Sequence, residues 1–161
     1  MESIVTTSAG LFSNGAAWAF LGAGASIVLA GAGSVLGTYP AAAKGAGVIS
    51  ENPSLFGKVT PLVALPGSSV IYGFLIALFI FLKLGGEISQ IVGFQLFTIG
   101  LTMGLAGLFT GWLQGKAAAA GVGALGKNEA AFTPAIVLAA LLETAAIFAL
   151  LVSILLLQKV G

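Results

Sequence analysis

The chain has 161 residues, of which 58% are hydrophobic and only 7% are charged. Soluble domains carry about 25% charged residues, so this composition excludes a water-soluble globular protein. A net charge of +1 gives no basic footprint for nucleic acid. Because Cys and His are both absent, the sequence also excludes a disulfide framework, a thiol nucleophile, a conventional zinc site and a His-based catalytic triad.

Four long apolar stretches follow one another, over residues 15–48, 55–82, 88–125 and 131–157. Each exceeds the ~20 residues that a helix needs to cross a bilayer core, and all are too long and continuous for barrel strands. Glu2 stands where a signal peptide would carry positive charge, so we expect the first stretch to be retained. Short connectors join antiparallel helices. The sequence therefore predicts an all-α membrane protein of four transmembrane helices, arranged as two antiparallel hairpins.

The two hairpins resemble each other at a single ungapped offset of 76 positions. The shift matches both helices and the turn of each hairpin, pairing residues 41–43 with 117–119, Asn52 with Asn128, Phe56 with Phe132, and Leu65 with Leu141. We interpret this as a duplication, with residues 1–84 as the first hairpin and 85–161 as the second. Both copies run in the same direction, because each contains two spans.

Glycines recur in the first and third spans at helical spacing, including Gly24, Gly31, Gly100, Gly104, Gly107 and Gly111. Stripes of small residues let helix backbones approach closely in a membrane, where lipid removes the hydrophobic effect between helices. A generic helix dimer would explain one such stripe. Because the stripe recurs while spans two and four are bulkier, we predict a two-layer ring with the odd spans inside.

Glu143 is the one charged residue between Glu129 and Lys159, in the middle of the fourth span. An acid at the centre of a membrane helix costs roughly 2.5–3.5 kcal/mol even on the lenient insertion scale. Such a residue marks a functional site by default, usually on an ion or proton path.

Gln114 should lie level with Glu143, because the two are equally far from the turn between spans three and four. An amide at that depth is also costly without a partner. On the second span, Ser68 and Ser69 should reach a similar depth.

The second span also contributes Leu65 and Tyr72, which share a helical face with Ser68 or Ser69. Pro66 removes an amide donor and so frees a carbonyl in the preceding turn. The predicted cluster is rich in oxygen, which suits hard cations. One carboxylate matches one monovalent charge, so Na⁺ or a proton fits better than Ca²⁺, and no organic cofactor is expected.

Lysines predict the orientation in the membrane. Four lie in or beside the loops after spans one and three and two lie on the other side: Lys44, Lys58, Lys116 and Lys127 against Lys83 and Lys159. The positive-inside bias places those two loops in the cytoplasm and both termini outside, in a multi-pass protein of the cell membrane.

The chain resembles the proteolipids of V-type ATPases, the rotor-ring subunits called c or K, and especially the bacterial sodium-pumping members. The resemblance covers all four spans and rests on LPGSSVIYGFLIALFIFLKLG, GLFTGWLQGKAAAAG and LLETAAIFALLVSILLL. It implies that Glu143, Gln114, Ser68 and the Leu65 carbonyl hold the cation, while Tyr72 bonds to the carboxylate. The family pattern has Thr-Gln where this chain has Ser68-Ser69, so the resemblance leaves Na⁺ or H⁺ as the transported ion.

The resemblance also implies partners. These are identical copies in a ring, a membrane stator subunit with an essential arginine, a central-stalk subunit and membrane lipid, with ATP hydrolysed in other subunits. The chain itself is expected to be non-catalytic. The alternative is a small proton-coupled multidrug antiporter that uses the same glutamate, but such a protein should have a substrate chamber lined by aromatic residues. Trp18 lies away from the level of Glu143, and glycine stripes favour tight packing.

Overall fold

The computed structural model of the chain describes Gly10 and residues 14–160, and the described residues are helical throughout apart from short turns. Helix α1 (Gly15–Glu51) forms the first span and α4 (Gln90–Lys127) the third. The second span contains α2 (Phe56–Ala64) and α3 (Ser68–Leu82), and the fourth contains α5 (Phe132–Ala140) and α6 (Glu143–Leu157). All four spans are long and apolar enough to cross a membrane. The predicted all-α membrane fold is confirmed. The two chain ends lie outside the described residues.

The duplication extends to the turns. Short 3₁₀ segments, Pro53–Leu55 and Glu129–Ala131, open the second and fourth spans at the same offset of 76. In each turn an asparagine caps the segment: Asn52 Oδ1 accepts from the Ser54 amide at 3.2 Å, and Asn128 Oδ1 accepts from the Ala130 amide at 3.0 Å. Helices α1 and α4 end at Glu51 and Lys127, a few residues beyond the predicted bounds, because the apolar pattern fades before these caps stop the helix.

Helices α1 and α4 run parallel and pack backbone to backbone. A Cβ added at Gly33 would lie 2.5 Å from the Gly107 carbonyl oxygen, and one at Gly104 would lie 2.5 Å from the Ala25 carbonyl oxygen. Gly100 and Gly111 meet the backbone of α1 in the same way. These positions accept no side chain without moving a helix.

Gly24 and Gly31 do not lie in this seam, because at about 100° per residue they face a different side of α1 from Gly33. Nothing lies within 4 Å of a Cβ built on Gly24, and Gly31 meets only the side chain of Val70 at 3.6 Å. Within a single chain these two glycines make no close helix contact, so their packing role stays a prediction.

The second span lies in the groove between α1 and α4, whereas the fourth packs mainly against α4. One face of the second span is wholly buried, through Leu62, Pro66, Ser69, Gly73, Ile76 and Ile80. Ser26 of α1 donates a hydrogen bond to the Gly73 carbonyl at 2.8 Å, which fixes this contact. The glycine-rich spans thus pair with each other, and the bulkier spans cover them.

Candidate ion-binding site

Glu143 is the first residue of α6, so its carboxylate lies where the fourth span is interrupted. Both carboxylate oxygens accept hydrogen bonds. The Tyr72 hydroxyl donates to Oε1 at 2.7 Å, and Gln114 Nε2 donates to Oε2 at 2.8 Å. The site therefore joins three spans, because Tyr72 lies on α3, Gln114 on α4 and Glu143 on α6.

Glu143 has no cationic partner within the part of the chain that the structure describes. The ion pair found there is Lys58 with Glu129, at 2.6 Å, near the Asn52 and Asn128 turns and away from Glu143. Tyr72 and Gln114 are neutral donors, so their hydrogen bonds cannot cancel the charge of an ionised carboxylate. In a membrane, that charge needs a bound cation or proton to be neutralised.

Gln114 is fully buried. Its amide nitrogen is used twice, since it also donates to the Ala139 carbonyl at 3.3 Å. Its Oε1 atom is sealed from solvent and has no hydrogen-bond partner among the described residues. An amide oxygen can only accept, so the chemistry that would satisfy Oε1 is a cation or a donor such as water.

The second span also contributes the Ser68 hydroxyl, on the same helical face as Tyr72. It is interrupted at the 3₁₀ segment Leu65–Gly67, which contains Pro66. The Ser68 hydroxyl donates to the Leu65 carbonyl at 2.9 Å. Leu65, Ser68 and Tyr72 are each half-buried and share one face of the span. The structure thus places both oxygens of the predicted Leu65–Ser68 pair next to each other.

Ser69 is placed differently from Ser68. Its side chain belongs to the fully buried face of the span, toward α1 and α4, and its hydroxyl has no hydrogen-bond partner among the described residues. Its carbonyl oxygen lies 3.5 Å from a Cβ built on Gly107. Distance from the turn predicts the same depth for both serines, and only the packing of the span distinguishes their directions.

The interruption of the fourth span was not predicted. Leu142 donates to the Ala139 carbonyl at 3.3 Å and Thr144 to the Leu141 carbonyl at 3.4 Å, each three residues back. No proline lies at Leu141–Leu142, so the residues there carry no local signal for a break. The one usable signal was the duplication, because Leu65–Gly67 and Leu141–Glu143 are equivalent at the offset of 76.

These features define a class of protein: a multi-pass membrane protein with an intramembrane carboxylate that is oriented by hydroxyl and amide donors and has no cationic partner among the described residues. The family model of the ATP synthase C subunit matches the chain twice, over residues 21–80 and 97–156. The two matches are themselves 76 positions apart. The chain belongs to this ATP synthase family.

Individual relatives indicate which kind of subunit within this family the chain resembles. The chain is 34% identical to the V-type sodium ATPase subunit K of Enterococcus hirae over 97% of both chains. It is 41% identical to the A-type ATP synthase subunit K of Methanocaldococcus jannaschii, over 87% of this chain and 61% of that protein. It is 28% identical to the human 16 kDa proteolipid of the V-type proton ATPase, over 88% of this chain and 92% of that one.

These matches identify a proteolipid subunit of the V-type and A-type ATPases, as the sequence motifs predicted. Such subunits are non-catalytic, because the catalytic subunits lie elsewhere in the complex. The comparisons give no support to the antiporter alternative.

Proposed function

We propose that this chain carries one Na⁺ per protomer across the membrane as part of a rotor ring, with Glu143 as the ion-binding carboxylate. One observation supports this most strongly. The carboxylate is held by donors on both oxygens and has no cationic partner in the described residues, while the neighbouring Gln114 Oε1 has no partner there either. A monovalent cation would satisfy both needs at once.

The cation would bind to the Glu143 carboxylate, Gln114 Oε1, the Ser68 hydroxyl and the Leu65 carbonyl. All are oxygen ligands, as a hard cation requires. Tyr72 would orient the carboxylate. The relative that is a sodium ATPase subunit supports Na⁺, whereas the human relative is named for protons. A proton is therefore the competing ion, and the experiment below distinguishes the two.

Assembly into a ring is supported by the unused face of α1. Helix α4 packs its small-residue stripe against α1, and the residues 76 positions earlier form a largely exposed stripe on α1: Gly24, Val28, Gly31, Val35 and Tyr39. Val28, Val35 and Tyr39 are 66%, 68% and 75% exposed. Within the chain, the second hairpin packs its α4 stripe against the first hairpin. If the first hairpin packs in the same way against the second hairpin of a neighbouring copy, the α1 stripe contacts α4 of that copy. Gly24 and Gly31 would then pack between copies.

The outer layer supports the same arrangement. The buried face of the second span has an equivalent on the fourth span, consisting of Leu138, Leu142, Ala145, Ala149, Val152 and Leu156. In the single chain Leu138 is 65% exposed and Val152 is 48% exposed. A neighbouring α1 beside α4 would complete the groove for this face. The interaction is head-to-tail, which gives a ring when the rotation between neighbours closes, and the repeating units of the proposed ring are residues 1–84 and 85–161.

Rotation would depend on the charge of Glu143. A bare carboxylate facing lipid is costly, whereas a carboxylate neutralised by Na⁺ or a proton passes through lipid more easily. The loaded protomer would turn through lipid and release its ion at the stator subunit, whose arginine replaces the cation. ATP would be hydrolysed in other subunits and coupled through the central stalk. The Asn52 and Asn128 turns would face the cytoplasm, with both termini outside.

The test is carbodiimide labelling of the purified protein with and without Na⁺, at constant pH and ionic strength, followed by peptide mapping. Carbodiimides react with protonated carboxyl groups in apolar surroundings. We expect labelling at Glu143 that Na⁺ prevents and K⁺ does not. Native mass spectrometry of the same sample should show a closed oligomer of identical chains.

Two variants serve as controls. Glu143→Gln should remove the labelling while the oligomer still forms, because the amide replaces the acid with nearly the same shape. Glu129→Gln, at the exposed acid of the loop, should leave both labelling and Na⁺ protection unchanged. Equal effects of Na⁺ and K⁺, with protection only at raised pH, would contradict the Na⁺ assignment and indicate a proton carrier. A monomer would contradict the ring.

A further inference from the structure

Both outer spans are interrupted at the same place, but for different reasons. The second span breaks at Leu65–Gly67, where Pro66 removes an amide donor. The fourth span breaks at Leu141–Leu142, and leucine stands where the first copy has proline. A run of Ala and Leu favours an uninterrupted helix. The cause of the second break must therefore lie outside the local sequence.

Gln114 supplies that cause. Its Nε2 donates to the Ala139 carbonyl at 3.3 Å, the same carbonyl that accepts from the Leu142 amide. In a continuous helix the Ala139 carbonyl would accept from the Glu143 amide. We propose that Gln114 is a positioning residue that keeps the helix of the fourth span interrupted at Leu141–Leu142, as Pro66 does in the second span. This inference rests on the proposed function, because it assigns the break to the presentation of Glu143.

The break changes the direction of the carboxylate. Each bond to the third residue back turns the chain by about 120° per residue instead of about 100°. Such bonds at Leu142 and Thr144 therefore rotate Glu143 by a few tens of degrees relative to a continuous helix. The break also makes Glu143 the first residue of α6, so the carboxylate is presented at the end of a helix and not from its middle.

The test compares wild type, Gln114→Leu, Leu142→Pro and the double variant. The readout is the Na⁺ concentration that half-protects Glu143 from carbodiimide. We expect Leu142→Pro to stay within about twofold of wild type, because the fourth span is already interrupted there and the equivalent position of the second span is Pro66. Gln114→Leu should raise the concentration roughly 30-fold or more, since it loses the ligand oxygen as well as the break. Adding Leu142→Pro should recover at least about threefold of that loss.

A merely ligating role for Gln114 predicts no recovery in the double variant, and that result would overturn the inference. Leu138→Pro is the position control. It places proline in α5, one turn before the break, and should disrupt assembly because the helix there is continuous. Loss of Na⁺ protection in an assembled Leu142→Pro protein would also overturn the inference.

Hydrogen exchange of the Glu143–Ala145 amides provides a readout that does not depend on ion binding. Gln114→Leu should slow their exchange roughly tenfold as the helix closes, and Leu142→Pro in that background should restore wild-type exchange. Unchanged exchange in Gln114→Leu would overturn the positioning role even if Na⁺ binds. Absence of Na⁺ protection in wild type would contradict the proposed Na⁺ site instead, while the exchange result still decides the cause of the break.

Discussion

The two outer spans are copies of one helix that now differ in purpose. Both break at equivalent positions, yet the first copy has Pro66-Gly67 there and the second has Leu142-Glu143. The acid is kept once, on the copy whose break is held by a side chain from α4 and not by a proline. The difference shows that a duplicated scaffold can keep its backbone shape while only one copy keeps the chemistry.

The glycine-rich helices α1 and α4 also differ at equivalent positions. Gly111 of α4 packs on α1, while the equivalent position of α1 is Val35, which is 68% exposed. A Cβ on Gly111 would lie 2.7 Å from the Gly33 carbonyl carbon. Gly111→Val should therefore lose about 3 kcal/mol of stability through overpacking, the largest effect we expect. Thermal unfolding in detergent measures it.

Val35→Ala is the matched control, because it removes atoms at the equivalent position, which is exposed in the single chain and lies between copies in the proposed ring. It should lower the melting temperature far less than Gly111→Val does. Equal losses from the two variants would mean that the α1–α4 seam is not the main source of stability in the inner layer.

Tyr72 and Phe148 are the equivalent pair at the carboxylate. Tyr72 donates to Glu143 at 2.7 Å, whereas Phe148 is 66% exposed. Hydrogen bonds to charged groups contribute about 1.5–3 kcal/mol. Tyr72→Phe should therefore weaken Na⁺ protection of Glu143 roughly 10- to 100-fold. Phe148→Tyr should change it little, and a comparable loss from Phe148→Tyr would show that the hydroxyl acts through general packing.

Gly67 is the position in the first copy that is equivalent to Glu143 in the second, and it has no acid. Nothing lies within 4 Å of a Cβ built there, so a side chain fits. Gly67→Glu should add a second carbodiimide-reactive carboxyl per chain and raise the ions carried per turn. Moving one charge against 100 mV costs about 2.3 kcal/mol, so the variant should also stall at a lower ion gradient for the same ATP energy.

Gly57→Glu is the control for this change, since Gly57 is exposed and equally open but lies near the Asn52 turn, at the end of the span. It should add no reactive carboxyl. Unchanged ion stoichiometry in a functional Gly67→Glu protein would contradict the idea that the number of acids per chain sets the number of ions carried per turn.

Much of this architecture is readable from the sequence. Hydropathy and the offset of 76 predict four spans and two hairpins, because membrane helices must be long and apolar and a copy keeps its pattern. The depth match of Gln114 and Glu143 follows from their distances to the Asn128 turn. The break at Leu141–Leu142 could not be predicted, because it depends on a hydrogen bond from another helix. The separate directions of Ser68 and Ser69 depend on span rotation, which three- and four-residue spacing leaves undetermined.

Substitution of Ser69 should have the smallest effect, and it distinguishes the role of Ser69 from that of Ser68. The equivalent residue in the second copy is Ala145, and the Ser69 hydroxyl is buried without a partner in the described part of the chain. An unsatisfied buried hydroxyl is destabilising, so Ser69→Ala should leave stability unchanged or raise it slightly and keep Na⁺ protection of Glu143 within about twofold. Ser68→Ala, which loses the hydroxyl beside the Leu65 carbonyl, should weaken protection more. A tenfold or larger loss from Ser69→Ala alone would show that its hydroxyl reaches the ion, directly or through water, and that the two serines act together.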